Sequence, residues 1–341
     1  MNDLVRVGII GAGRIGALHA ANLATRIPEV QVVAISDIRR EAAARCASAL
    51  GIPEVYGDPE PVLTHPGIDA VLICSSTDTH AALVERAAAA GKQIFCEKPI
   101  DLDLARVDGV LEAVDRTGVK FMVGFNRRFD HNFRRVRELV QAGAVGTPQM
   151  LHIISRDPAP PPPAYVKVSG GIFLDMTIHD FDMARFLIES EVAELYVEGG
   201  VMVDSAIGEA GDIDTAVIVM RFENGVIGTI DNSRKAVYGY DQRVEVFGSG
   251  GAVRSENDYP NTALISDGAS VHRDLPLNFF MDRYVEAYVD ELRAFIACIK
   301  ADTPPPVTGI DGRQSILMGY AARKSYAEHR PVRLSEAEIG E

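Results

Sequence analysis

Two short constellations in this chain carry side chains suited to handling a proton beside a carbon–oxygen bond. The first is Cys96-Glu97-Lys98-Pro99. A lysine ammonium at the end of a strand can stabilise the negative oxygen that develops as a carbinol is oxidised. A solvated turn is the commoner fate of a lone lysine, and Glu97 suits a structural partnership as well as it suits catalysis. A cis Lys98–Pro99 bond would aim the lysine into a crevice, although trans is the usual state before proline. The second constellation runs from Gly170 through Asp175 and His179 to Asp182. Asp175 and His179 stand four apart, so a single helix would place them on one face. Histidine is the usual general base near neutral pH, and a carboxylate beside it orients it or stabilises its charged form. A capped helix with a satisfied histidine would use the same residues. So would a metal site, but no third ligand is evident and no metal is expected.

A third motif would bring an electron acceptor. Gly11-Ala12-Gly13-Arg14-Ile15-Gly16 follows a short β-branched run and opens a helical pattern. Gly11 permits a tight turn, Gly13 lets backbone approach a pyrophosphate, and Gly16 lets helix and strand pack closely. The free N–H groups of the helix start then face the phosphates. Asp37, roughly 20 residues beyond the last glycine, stands where a carboxylate accepts from the adenine ribose hydroxyls. It favours NAD over NADP, whereas Arg39 and Arg40 could pair with a 2′-phosphate; the carboxylate is the main discriminator. Ala12, Arg14, Ile15 and Ile38 join this cofactor set, as do Glu97 and Lys98. Ser75, Ser76, Thr77 and His80 follow a strand ending at Cys74 and so fall at the ligand-binding edge of the sheet. Capping of the next helix by Thr77 or Asp78 is an equal reading of that loop.

The elements that would position these groups change character along the chain. Strand-like runs at Val5–Ile10, Val30–Ser36, Ala70–Cys74, Gln93–Cys96 and Lys120–Val123 alternate with Ala-rich helical stretches. That alternation predicts a Rossmann doubly wound parallel sheet over residues 1–125. Beyond it, longer strand-like stretches follow one another: 149–155, 194–203, 215–222, 226–234 and 242–247. They predict an α+β domain over residues 126–341, built on a large, mostly antiparallel open sheet. One open face suggests pairing with a second copy, hence an oligomer. Asp157 to Pro163 reads as a stiff loop near the site. A helix at about 311–328, placed either in this domain or back against the first, precedes a final Arg-Pro-Val-Arg-Leu strand.

Composition narrows the partners. With 34 basic and 48 acidic side chains, the formal charge is −14. Such a surface repels nucleic acid and anionic lipid, so neither is expected as a partner. Four cysteines without a CxxC pair fit buried free thiols rather than disulfides or structural zinc. Met1-Asn2-Asp3 lacks a basic leader and the run after it is too short for a membrane span, which predicts a cytoplasmic protein.

Taken together, the glycine motif, Glu97-Lys98-Pro99 and Asp175…His179 resemble the glucose–fructose oxidoreductase/inositol dehydrogenase family over nearly the whole chain. Gly124-Phe125-Asn126-Arg127-Arg128-Phe129-Asp130, Ser155-Arg156-Asp157-Pro158, Asp175 to Asp182 and Tyr238-Gly239-Tyr240-Asp241 are similar to its inositol 2-dehydrogenase branch. The resemblance implies that Lys98, Asp175 and His179 form a catalytic triad. It implies that Arg127, Asp157, Asp182 and Tyr240 lie near a polyol, and that the protein is a homotetramer joined through the second sheet. Asn126 and the proline run after Asp157 depart from the pattern of some members, which leaves the exact polyol open. The expected chemistry is NAD-dependent oxidation of a ring hydroxyl, with His179 as base, Lys98 on the same oxygen and Asp175 holding substrate or base. Myo-inositol is the first expectation for this small neutral substrate, with scyllo-inositol or a pyranose sugar behind it. The rivals are an NADPH-dependent sugar reductase of the same build and a non-catalytic dinucleotide sensor.

Overall fold

The computed structural model describes residues 4–338; Met1-Asn2-Asp3, where a targeting signal would begin, and the last three residues of the expected second domain lie outside the described residues. The chain divides into two compact units. One comprises Met1–Phe129 with Glu286–Gln314, the other Asp130–Val285 with Ser315–Glu341.

The first unit alternates strand and helix: β1 Val5–Ile10, α1 Arg14–Arg26, β2 Val30–Ser36, α2 Arg40–Leu50, β3 Glu54–Tyr56, α3 Glu60–Thr64, β4 Ala70–Ile73, α4 His80–Ala89, β5 Gln93–Glu97, α5 Leu104–Thr117 and β6 Phe121–Gly124. The six strands are parallel, in the order β3-β2-β1-β4-β5-β6. Such strands are covered on both faces, and Val7, Ile9, Val71, Leu72, Ile94, Phe95 and Val123 are accordingly fully buried. The order reverses between β1 and β4, and ligands bind beyond the carboxyl ends of strands at such a switch. Asp103 caps α5 by accepting from the N–H groups of Ala105 and Arg106, and Gly118 ends that helix in the left-handed conformation.

The second unit runs α6 His131–Gln141, β7 Pro148–Arg156, α7 Pro163–Ser169, α8 Gly171–Asp175, α9 Ile178–Ile188, β8 Val192–Gly200, α10 Ser205–Glu209, β9 Thr215–Phe222, β10 Ile227–Ser233, β11 Asp241–Gly248 and β12 Gly251–Ser255. A small exposed hairpin, β13 Leu264–Ser266 and β14 Val271–Arg273, and the turn α11 Phe280–Arg283 follow. Helix α12, Val285–Ala301, lies in the first unit from Glu286 onward; α13, Gly309–Glu328, changes unit at Ser315; β15 is Val332–Arg333. The large sheet has the order β12-β11-β7-β10-β9-β8-β15. Only β7 and β10 pair in parallel, so the sheet is mostly antiparallel, as its sequence pattern predicts. Alternation is regular along β9, where Ala216, Ile218, Met220 and Phe222 are buried while Val217, Val219 and Arg221 are exposed.

Three local expectations change. Asp175 and His179 do not share one helix; they fall on α8 and α9. The Thr177 N–H bonds five residues back to the Ile172 carbonyl, and the Thr177 hydroxyl turns to Asn232, which breaks the regular ladder. The proline run ends in a helix, because Pro163 at a first turn has no N–H to lose. The final strand shrinks to two residues, because the Glu336 carboxylate accepts the Arg333 N–H and starts the helix α14, Leu334–Ala337.

Candidate active site

In the first unit the glycine turn is shaped for a dinucleotide. Gly11 has φ +101°, a conformation that L side chains avoid. A Cβ on Gly16 would lie 2.0 Å from the Gly11 carbonyl oxygen, whereas one on Gly13 would meet nothing within 4 Å. Gly16 is therefore required for packing and Gly13 leaves open space at the helix start. No side chain caps the start of α1, the end at which helix N–H groups favour a phosphate. Asp37 is fixed from two sides: Oδ2 accepts from the Ala12 N–H at 2.7 Å and Oδ1 from the Arg39 N–H at 2.8 Å. This donor and acceptor set fits NAD. Arg39 leans on the same carboxylate, with Nε 3.7 Å from Oδ1. Arg14, Ile38 and Arg40 are exposed, and Ala12 and Ile15 are half-buried.

Ser75, Ser76 and Thr77 lie just beyond β4. The Ser75 hydroxyl is 2.6 Å from that of Thr79, which itself donates to the Ser76 carbonyl. Neither the 3-10 turn Thr77–Thr79 nor α4 has a side-chain cap, so the expected capping duty of Thr77 or Asp78 is not observed. His80, expected to touch cofactor, is buried, with Nδ1 2.8 Å from the Pro99 carbonyl and Nε2 3.1 Å from that of Ser75. Its ring ties two loops of the sheet edge together instead of facing outward.

Glu97 ends β5 and Lys98 follows it, half-buried, with Lys98–Pro99 in the cis form. Behind the pair, Nε2 of the fully buried His19 is 2.6 Å from Glu97 Oε1. Cys74 and Cys96 are buried free thiols, and burial pushes both well above the ordinary thiol range, which makes them inert packing groups. Arg127 is buried in the 3-10 turn Asn126–Phe129, next to Arg128, whose Nη2 donates to Asp311 at 2.9 Å.

In the second unit Asp175 is held by two donors. Tyr165 Oη donates to Oδ1 at 2.9 Å, and Arg234 Nη1 donates to Oδ2 at 3.2 Å. The Arg234 side chain is only 2% exposed and faces three carboxylates, with Asp212 at 3.8 Å and Asp157 at 4.0 Å. Burial raises the Asp212 carboxyl above its usual range, against the pull of the Ile172 and Ile213 N–H groups and Arg234. A buried guanidinium among carboxylates lets several acids stand close together.

His179 opens α9, which is anchored from beneath. Thr177 Oγ1 donates to Asn232 Oδ1 at 2.6 Å, while Asn232 Nδ2 donates to Asp180 at 2.9 Å and to the Ser155 carbonyl at 3.2 Å. These groups are fully or almost fully buried, so this satisfied network fixes the junction of α8 and α9 to β10. Asp182 is buried on α9, and Tyr240 is buried with its ring edge-on to Tyr284 at 6.0 Å. Asp157 heads the proline loop, its N–H bonded to the Ser233 carbonyl. Arg156 is occupied by Asp231 and Tyr238, which raise its pKa.

Sequence reasoning missed Arg234, Tyr165, Asn232 and His19. A lone arginine at a strand end reads as a solvated charge, and a histidine one turn past a glycine motif reads as helix surface. The burial of Arg234, Asn232 and His19, and the reach of the exposed Tyr165 to Asp175, are tertiary facts.

Both units resemble those of known proteins. Residues 5–125 match the model of the oxidoreductase family with an NAD-binding Rossmann fold, and residues 133–254 match the GFO/IDH/MocA C-terminal domain. The chain is 50% identical to a myo-inositol 2-dehydrogenase of Thermotoga maritima, over 97% of this chain and 99% of that one. It is 46% identical to an inositol 2-dehydrogenase of Rhizobium meliloti, over 97% and 99%. The crystal structure of scyllo-inositol dehydrogenase from Lactobacillus casei with bound NAD(H) and scyllo-inositol superposes with a TM-score of 0.91 at 29% identity, covering 98% of this chain and 100% of that one. The chain therefore belongs to the GFO/IDH/MocA family of oxidoreductases, with an NAD-binding Rossmann domain at its N-terminal end.

Proposed function

We propose that the protein oxidises one ring hydroxyl of myo-inositol to the ketone scyllo-inosose, with NAD as the acceptor. The reading is carried by one observation: Asp175, pinned by Tyr165 and Arg234, belongs to the segment that bears His179 in a chain half identical to a myo-inositol 2-dehydrogenase. His179 takes the hydroxyl proton. Lys98 donates a hydrogen bond to the oxygen and stabilises the charge that develops there. Asp175 holds the substrate or base in place. Bound NAD supplies the two-electron acceptor. Gly11, Ala12, Gly13, Arg14, Ile15, Asp37, Ile38, Ser75, Ser76, Thr77, Glu97 and Lys98 form its site, with His80 holding the loop.

Arg127, Asp157, Asp182 and Tyr240 complete the polyol site in this reading. A neutral polyol suits a chain of charge −14, because recognition then runs through hydrogen bonds. Assembly as a homotetramer through the second sheet is supported by its solvent face, where Met150, Val217, Val219, Ile227 and Phe247 are 39–51% exposed. Action in the cytoplasm is supported by four unpaired thiols. Among the described residues no helix is long and apolar enough to cross a membrane.

The test follows absorbance of reduced nicotinamide with NAD or NADP and a panel of inositols and sugars, with Lys98→Ala in parallel. Turnover of myo-inositol with NAD, lost in the variant, supports the reading. Preference for scyllo-inositol or a pyranose would replace the substrate. Tight NAD binding with no turnover of any polyol would replace catalysis with a sensing role.

A further inference from the structure

Behind Lys98 lies a closed group of three titratable side chains from three elements: His19 of α1, Glu97 of β5 and Glu291 of α12, all in the first unit. His19 and Glu291 are fully buried, and the Glu97 side chain is 15% exposed. The His19 ring stands edge-on to Phe95 at 5.3 Å and to Tyr288 at 5.7 Å, which fixes its plane. Its Nε2 is 2.6 Å from Glu97 Oε1 and 3.9 Å from Glu291 Oε1. On its other side, the Glu97 carboxylate lies where a Cβ on Gly124 would meet it at 3.2 Å, a tight contact that glycine avoids. Neither oxygen of Glu291 has a hydrogen-bond partner, nor does Nδ1 of His19.

A buried carboxylate with no donor is one of the most costly arrangements in a protein, and a second carboxylate nearby makes it worse. Neutralisation by a proton removes the buried charge and its repulsion from Glu97. Burial, followed by the nearby Glu97 charge, pushes the Glu291 carboxyl well above the ordinary range. A divalent cation would also neutralise the group, but two ligand atoms each about 2.1 Å from a tetrahedral metal stand more than 3 Å apart. The contact between His19 and Glu97 is that of a hydrogen bond.

We propose that Glu291 works as a neutral carboxylic acid that, together with His19, positions the Glu97 carboxylate and so the adjoining Lys98. Glu291 and His19 are positioning residues, acting through Glu97 without touching substrate or cofactor. The proposal rests on the assignment of Lys98 to the reacting oxygen.

The test compares Glu291→Gln, Glu291→Leu and Lys98→Ala with the parent full-length enzyme. It reads kcat, KM for inositol, NAD affinity, the pH profile of kcat, and bound metal by elemental analysis. Glu291→Leu is expected to lower kcat about 10- to 100-fold, the scale of a small misplacement in a catalytic group, with KM and NAD affinity within about threefold. Glu291→Gln is expected to rescue kcat, because an amide keeps the shape and the neutrality, and to leave the pH profile in place. Should the leucine variant fail to fold, the pH profile and kcat of the glutamine variant decide alone. A glutamine variant with kcat reduced tenfold or more, a displaced pH profile, a folded leucine variant with parental kcat, or stoichiometric metal in the parent would each overturn the proposal. Full activity in Lys98→Ala would instead overturn the assignment of Lys98, whatever the Glu291 variants do.

Discussion

Nη1 of Arg234 lies 3.2 Å from Oδ2 of Asp175, and the guanidinium is only 2% exposed. Breaking a buried charge pair by removing one partner costs about 3–5 kcal/mol, because the other charge is left without compensation. Arg234→Met should therefore lower stability by that order and reduce kcat, with Asp157 and Asp212 as further unbalanced acids. Arg234→Lys should recover only part of both, since a point charge cannot span three carboxylates. Urea unfolding and steady-state kinetics check this. An Arg234→Met enzyme with parental stability and kcat would show that the contact is incidental.

Asp37 links cofactor choice to the geometry of the glycine turn, since its carboxylate also accepts the Ala12 N–H. Asp37→Ser should weaken NAD about 10- to 100-fold, the worth of hydrogen bonds to one charged group at about 1.5–3 kcal/mol. NADP, relieved of repulsion and near Arg39, should lose much less or gain. The ratio of kcat/KM for the two cofactors is the measurement. An unchanged ratio would remove Asp37 as the discriminator.

The open face of the second sheet should be the site of assembly. Val219 is 42% exposed and lies mid-strand on β9, next to Val217 on the same face and opposite Tyr196 and Thr229. Val219→Glu places a charge in the centre of that face and should shift the protein to a smaller species in sedimentation velocity, with its far-ultraviolet circular dichroism intact. The same sedimentation coefficient in both proteins would place the interface elsewhere.

Stability should carry the mark of Glu291. Its folded pKa lies above the ordinary value of 4.5, so the folded state binds a proton that the unfolded state has released. The contribution is present below that ordinary value and is lost as pH rises towards the folded one. His19, Glu97, Cys74 and Cys96 are the titratable groups around it, and the two thiols stay protonated through this range. The stability difference, parent minus Glu291→Gln, should therefore fall in urea titrations as pH rises above the ordinary carboxyl value of 4.5. A difference that does not change with pH would mean the carboxyl is not held neutral.

The sequence by itself determined the strand–helix alternation of the first unit, though not the short β3 and α3 or the later α12, and its cofactor turn, because both are written in local periodicity and in glycines with a steric reason. It also indicated the strand at β9, and it singled out Lys98, Asp175 and His179 as candidates for catalysis. Tertiary structure alone decided how Asp175 and His179 are presented. A spacing of four implies one helix only while the ladder is regular, and the Thr177 hydroxyl breaks it by reaching Asn232, far away in sequence. It decided that His80 braces two loops, since burial depends on α4 meeting the Pro99 turn. It decided as well the setting of Arg234, His19 and Glu291: each is an ordinary polar residue in its local window. Their consequence comes from losing water and gaining charged neighbours from other elements, and no local pattern encodes that.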